Sequence, residues 1–354
     1  MAVEQRARED GAFDVVTMGR IGVDLYPLQT GVGLADVKTF GKFLGGSAAN
    51  VAVAAARLGR SAAVITRTGE DPFGAYCRRE LRGYGVDDRW AGPVAGPPTP
   101  VTFCELFPPD RFPLYFYRRP TAPDLLIRPG DLDLAAVRAA RVFWMTGTGL
   151  CQEPSRAATL AALAARSADG GAPGQVATVF DLDWRPGFWP GGAAEARSPY
   201  REALAHATVA VGNVAECEVA TGARGAHACA QALVAAGVTL AVVKRGPDGV
   251  LAAHRDGRTA EVAPHRVRVV NGLGAGDAFG GALCHGLLAG WDPYRTARYA
   301  NAAGALVASR LACSPAMPFP HEVEALLRGE RAGPGGPGGA ERVPHAAGRR
   351  EDGP

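Results

Sequence analysis

The sequence predicts an α/β protein: a mostly parallel central sheet, helices on both of its faces, and a small β-sheet lid. Three observations predict it. Apolar β-branched runs alternate with Ala/Leu-rich helical text, the pattern of parallel strands joined by crossover helices. The composition, 47% hydrophobic and 21% charged over 354 residues, is that of a chain with a large core and not of a disordered one. Two segments break the rhythm, and the second alternates apolar and polar residues on its own, as a separate small sheet would.

In chain order, residues 1–12 read as a solvated tail. The run DVVTMGRIGVD, a first strand followed by GRIGVD, gives way to the helical text SAANVAVAAARLG, and AAVITRTG followed by FGAYCRRELRGYG repeats the alternation. The breaks fall at about 26–43 and 99–118. Pro-rich text over 92–100 leads into the second, where VTFCELF and LYFYRR flank a PPDRFP turn. These segments are expected to form the lid. RVFWMTG, QVATVFDLD, ATVAVGN and LAVVKRG then each precede helical text. From 329 to 354 the Gly/Pro-rich chain carries too few apolar side chains to offset the entropy of ordering. The expectation is one domain over 13–328 between disordered tails.

A formal net charge of +3 with no basic block argues against a nucleic-acid partner. The seven cysteines stand apart without a CxxC pair, so they read as reduced thiols and not as zinc ligands. MAVEQRARED leads into no apolar run, and the longest uncharged stretch, 225–243, divides into a short helix and a strand. No membrane span and a cytoplasmic location are expected.

Two glycine-bearing motifs carry the chemistry. Gly274-Ala275-Gly276-Asp277 runs into the helical pattern AFGGALCHGLLAG. Backbone N–H groups at such a helix start bind anions, and fixed donors stabilise a transferring phosphoryl group. Asp277 among them can take the proton of an attacking hydroxyl, or can simply cap the helix. Gly45-Gly46-Ser47-Ala48-Ala49-Asn50 offers close backbone approach to a polyol and an amide for its hydroxyls, or a capped turn. No GxGxxG follows the first strand, which weighs against a dinucleotide-binding dehydrogenase.

In this order, the two motifs resemble the signatures of the ribokinase/PfkB sugar kinases, GGxxxN and DTxGAGDxF, and the resemblance spans about 13–328. It implies an ATP-dependent phosphotransferase with Asp277 as base and with Gly274, Ala275 and Gly276 as the anion-binding turn. It further implies Asp24, Gly45, Gly46 and Asn50 on the sugar. Asn213 and Glu216 (an NxxE) would organise Mg2+ through water, Lys244, Gly246 and Gly249 would lie on the nucleotide side, and Asn301 near the adenine. Asn271-Gly272-Leu273 stands where the family has DTx, which leaves dependence on a monovalent cation open. Lids of this family also serve as dimer interfaces, so a homodimer is possible.

Within the family, GRIGVDLYPLQ, FYRRPTAPDLLI, DLDWRP, VVKRGPDG and CSPAMP are most similar to the kinases of a sugar acid, 5-dehydro-2-deoxygluconate, in myo-inositol catabolism. The resemblance then implies an arginine on the substrate carboxylate, Arg118 in preference to Arg119, and Arg185 facing substrate or phosphate. A 2-keto-3-deoxygluconate kinase or a fructokinase uses the same scaffold. A nucleotide-binding protein without turnover is disfavoured, because binding alone needs no Asp277.

Overall fold

A computed structural model describes residues 12–330. The expected tails at 1–12 and 329–354 lie outside the described residues except at their inner ends. The strands are β1 Val15–Met18, β2 Gly22–Pro27, β3 Phe40–Gly45, β4 Ala62–Gly69, β5 Val86–Asp87, β6 Ala91–Val94 and β7 Val101–Cys104. They continue as β8 Leu114–Tyr117, β9 Val142–Thr146, β10 Ala177–Asp181, β11 Val209–Asn213, β12 Leu240–Lys244, β13 Val250–His254 and β14 Thr259–Val262. The helices are α1 Ser47–Arg57, α2 Pro72–Gly83, α3 Leu134–Ala139, α4 Ser155–Ser167, α5 Gly192–Leu204, α6 Val214–Thr221, α7 Ala226–Ala235, α8 Ala275–Leu288, α9 Pro293–Ala308 and α10 Pro320–Leu327. None is long and apolar enough to cross a membrane.

The main sheet runs β14-β13-β12-β11-β10-β9-β1-β4-β5, with β6 also on β4. From β12 to β5 every pairing is parallel, and β13 and β14 add an antiparallel edge hairpin. Successive residues of a strand face opposite sides, so a parallel strand buried on both faces is apolar throughout. Accordingly Val15 and Trp144 pack into one core with α1, α8 and α9, while Val16, Phe143 and Met145 pack into another with α3, α4, α5 and α7. All seven cysteines are free and buried.

The second sheet, β3-β2-β7-β8, is separate; β7 and β8 fall within the second expected break, β3 spans the end of the first, and β2 lies mostly before it. One expectation needs correction. GRIGVD, read as the stretch after the first strand and ahead of the first break, begins a second strand: β1 ends in the main sheet and β2 opens the small one. The break is Gly19, at φ 149, where a Cβ would sit 2.6 Å from Thr146 Oγ1. The chain thus leaves the core immediately after β1, traverses the small sheet and returns through Gly45 and Gly46 to start α1.

This routing locates a cleft. From β1 the chain moves to β4 on one side and later restarts at β9 on the other, and such a switch point opens a crevice at the carboxyl ends of the strands. Helices α1 and α8 begin beside it and pack closely behind it. A Cβ on Gly281 would meet Ala54 Cβ at 2.4 Å and Ala55 N at 2.8 Å, and one on Gly280 would meet the Trp144 ring at 2.7 Å. The small residues are therefore a steric requirement of that contact. Gly281→Val should lower the unfolding free energy by about 1–3 kcal/mol through overpacking, read as a lower denaturant midpoint at unchanged slope.

Candidate active site

Asp277 lies in the first turn of α8, behind the cap residue Gly274, whose φ is 79. A side chain on Gly274 would meet Cys313 Sγ at 2.5 Å, so the tight turn requires glycine. The first N–H groups of a helix have no intrahelical acceptor, and Asp277 lies within that first turn. Ser47 Oγ donates to Asp277 Oδ1 at 2.9 Å, and Asn50 Nδ2 donates to Oδ2 at 2.8 Å. Both donors belong to α1. Loss of hydration pushes the Asp277 carboxyl above its ordinary range, and these two bonds partly oppose the shift.

Asn50 is expected on sugar hydroxyls, yet its carbonyl accepts from Ser314 Oγ at 2.6 Å while its amide holds Asp277. It lines the cleft, but its hydrogen bonds orient the carboxylate. The diglycine also differs from its reading as an approach to a polyol. A Cβ on Gly45 would strike Asp24 Oδ1 at 2.1 Å, and one on Gly46, at φ 97, would strike Arg20 O at 2.5 Å. The two glycines make room for the protein's own Asp24 and for the β1–β2 turn.

Asp24 projects from β2 into the same cleft, 8% exposed, and accepts from Tyr26 Oη at 2.9 Å. Tyr26 Oη in turn lies 2.7 Å from Cys313 Sγ, which leaves the thiol as donor to the phenol oxygen. Burial raises the Asp24 pKa to about 7, with Tyr26 and Arg20 lowering it and Asp277 raising it. Thr102, Leu114 and Phe116 of the small sheet roof the cleft.

The arginines are distributed unlike the expectation. Arg118 does not line this cleft; it forms a buried ion pair with Asp124 at 2.9 Å and lies over the Phe188 ring. Arg118 and Arg119 both line two neighbouring cavities instead. The cleft arginines are Arg20 and Arg185, both paired at 2.7 Å with Asp183. Asp183 sits at φ 30, a conformation that L residues rarely adopt. Arg20 was missed by sequence reasoning because its partners, Thr148 and Asp183, are 128 and 163 residues away.

Toward the other edge, Lys244 ends β12 with its ammonium near the helix start, since a Cβ on Gly276 would lie 3.4 Å from Nζ. Burial alone would lower the Lys244 pKa, but Asp181, Glu216, Asp277 and Asp183 more than offset it and raise it. Asn213 and Glu216 form a capping box: each side chain accepts from the other's backbone N–H, at 2.9 and 2.7 Å. Gly246 and Gly249, at φ 58 and 85, turn β12 into β13. Asn301 on α9 donates to Ala263 O at 2.9 Å, and the register of β12, β13 and β14 puts that carbonyl at the Lys244 end of the sheet.

Fold and site together define a ribokinase-like sugar kinase. The pattern of the pfkB family carbohydrate kinases matches residues 12–320, and the chain belongs to that family. It is 33% identical over 329 residues to a 5-dehydro-2-deoxygluconokinase of Shouchella clausii, covering 90% of this chain and 97% of that one. A protein of the same name from Photobacterium profundum is 33% identical over 319 residues, covering 88% and 93%. Among solved structures, a Xylella fastidiosa fructokinase with bound ATP is 27% identical with a TM-score of 0.76, covering 89% of this chain and 98% of that one. A Vibrio cholerae fructokinase variant holding fructose, ADP and potassium is 26% identical with a TM-score of 0.76, covering 89% and 99%.

Asp24 supplies a test that needs no substrate. With its pKa near 7 in the folded state against 3.8 unfolded, the native protein binds the extra proton, so this residue's contribution to stability is lost as pH rises through that interval. Asp24→Asn should therefore raise the melting temperature at about pH 8, by an effect on the order of 2–4 kcal/mol, and raise it by less than half as much at about pH 5, because the loss begins at the unfolded pKa of 3.8.

Proposed function

We propose that this chain phosphorylates 5-dehydro-2-deoxy-D-gluconate at its terminal hydroxyl with ATP, giving the 6-phosphate in myo-inositol catabolism in the cytoplasm. The observation that carries the chemistry is the Asp277 carboxylate, held by Ser47 and Asn50 at the start of α8 with Lys244 alongside. The names of the curated relatives support the choice of substrate.

In this reading the sugar lies against Asp24 and under the small sheet. Asp277 takes the proton of the terminal hydroxyl as its oxygen bonds to the γ-phosphorus. The bond from that phosphorus to the bridging oxygen breaks, and its electron pair leaves with ADP. The N–H groups of Ala275 and Gly276 and the ammonium of Lys244 face the charge on the travelling phosphoryl group. Arg185, whose electrostatic neighbours after Asp183 are Glu216, Asp277 and Asp181, faces the same side. The turn with Gly246 and Gly249 and the Asn301 end of α9 flank the nucleotide.

Among the described residues no group of three His, Cys, Asp or Glu forms a metal cage. That fits Mg2+, which keeps most of its waters and binds chiefly through nucleotide phosphates; Glu216, with one oxygen tied to Asn213 N–H, would hold such waters. When bound, the ion neutralises phosphate charge.

Asp277→Asn should lower kcat by about 10³-fold and leave the ATP dissociation constant within about twofold. Wild-type protein given ATP, Mg2+ and a panel of 5-dehydro-2-deoxygluconate, 2-keto-3-deoxygluconate and fructose should favour the first. Preference for another member would replace the substrate. The monovalent cation gives a further test. Buried Asn271 donates to Leu311 O at 2.7 Å and accepts from Leu273 N at 3.0 Å, so a neutral amide already ties the two loops beside Gly274. Turnover in potassium and in tetramethylammonium buffers should agree within about twofold, since an amide bridge needs no counter-ion.

A further inference from the structure

Arg20 stands in the β1–β2 turn, 7% exposed, and its head is immobilised on several sides. Nε donates to Thr148 Oγ1 at 3.1 Å and one terminal nitrogen to Asp183 Oδ2 at 2.7 Å. The guanidinium carbon lies 5.8 Å from the ring centres of both Phe116 and Phe188. Among the described residues no acceptor is bonded to the other terminal nitrogen, Nη1, and Arg20 lines the cleft together with Asp24 and Asp277. Its counter-ion is shared: Asp183 also pairs with Arg185 at 2.7 Å. One carboxylate thus serves two guanidinium groups, and the other acidic groups of the cleft that act on Arg20 are Asp24 and Asp277.

A held guanidinium with spare N–H groups is a carboxylate receptor. We propose that Arg20, and not an arginine of the lid, takes the carboxylate of the sugar acid and sets the preference for acidic over neutral substrates. The alternatives are otherwise engaged. Arg118 pairs with Asp124 and, like Arg119, lines other cavities, and Arg185, which shares the cleft with Arg20, has Glu216, Asp277 and Asp181 as well as Asp183 among its charged neighbours. The proposal rests on the sugar-acid reading above and assigns its selectivity to one residue.

The test compares kcat/KM for 5-dehydro-2-deoxygluconate and for its neutral carboxamide in wild type, Arg20→Gln, Arg20→Lys and Arg118→Gln. Taking the ratio within each protein cancels any loss of folded enzyme. Wild type should prefer the acid by about 10²-fold, the scale of a charge-assisted hydrogen-bonded pair. Arg20→Gln should bring the ratio close to one, mainly through KM of the acid. Arg20→Lys, which keeps the charge but loses the planar fork, should fall between, and Arg118→Gln should keep the wild-type ratio. A wild-type ratio in both Arg20 variants, or its loss in Arg118→Gln, overturns the proposal; if Arg20→Gln does not fold, Arg20→Lys decides by the same criterion. Efficient turnover of both acid and carboxamide by wild type would overturn the role of Arg20 and leave the substrate reading standing. Turnover of neither, with fructose phosphorylated instead, would remove the substrate reading and the proposal with it.

Discussion

The site depends on one clamp: the Asp277 carboxylate of α8 held between Ser47 and Asn50 of α1. Each bond to an ionised carboxylate contributes on the order of 1.5–3 kcal/mol, and both pass between helices that start side by side at the carboxyl edge of the sheet. Their approach is set by Gly280 and Gly281 against Trp144 and Ala54. Backbone packing therefore determines the aim of the base, and the base in turn joins the beginning of the domain to its end. Ser314 extends the clamp to the next loop by donating to Asn50.

Around this point the charges form a graded field. Toward the small sheet, buried Asp24 is tied through Tyr26 to Cys313, and Arg20 is fixed by Asp183 and Thr148. Arg185 shares the cleft, and Lys244 stands by the start of α8. Asp183 links the two arginines, since its single carboxylate orders both. Its φ of 30 is a strained conformation of the kind that accumulates where side-chain placement outweighs backbone comfort.

Much of the fold was legible because local and global preferences agree. RVFWMTG, QVATVFDLD and LAVVKRG are strands buried on both faces, and nothing else suits apolar β-branched runs of that length. The helix starts at Ser47 and at the Gly274 turn were legible from their glycines, which are the N-cap residues in both cases. Misreadings arose where a decision belonged to distant partners. The first apolar run was divided by Gly19 because Thr146 occupies the space a side chain would need. The edge hairpin of β13 and β14 was overlooked, although β14 alternates exposed and buried residues. Arg118 had the right residue type at the right edge of the small sheet, but Asp124, six residues on, takes it into a buried pair.

By itself the sequence determined the class of fold, the alternation of most of its strands and helices, and the two motifs that mark a sugar kinase, because periodicity and glycine placement act over a few residues. Only the tertiary structure decided which polar groups face one another. It turned Asn50 toward the base, made Gly45 room for Asp24, and brought Arg20 rather than Arg118 into the cleft. Those outcomes depend on contacts between residues up to 264 positions apart, and the energy of a buried charge is set by whatever the folded chain places beside it.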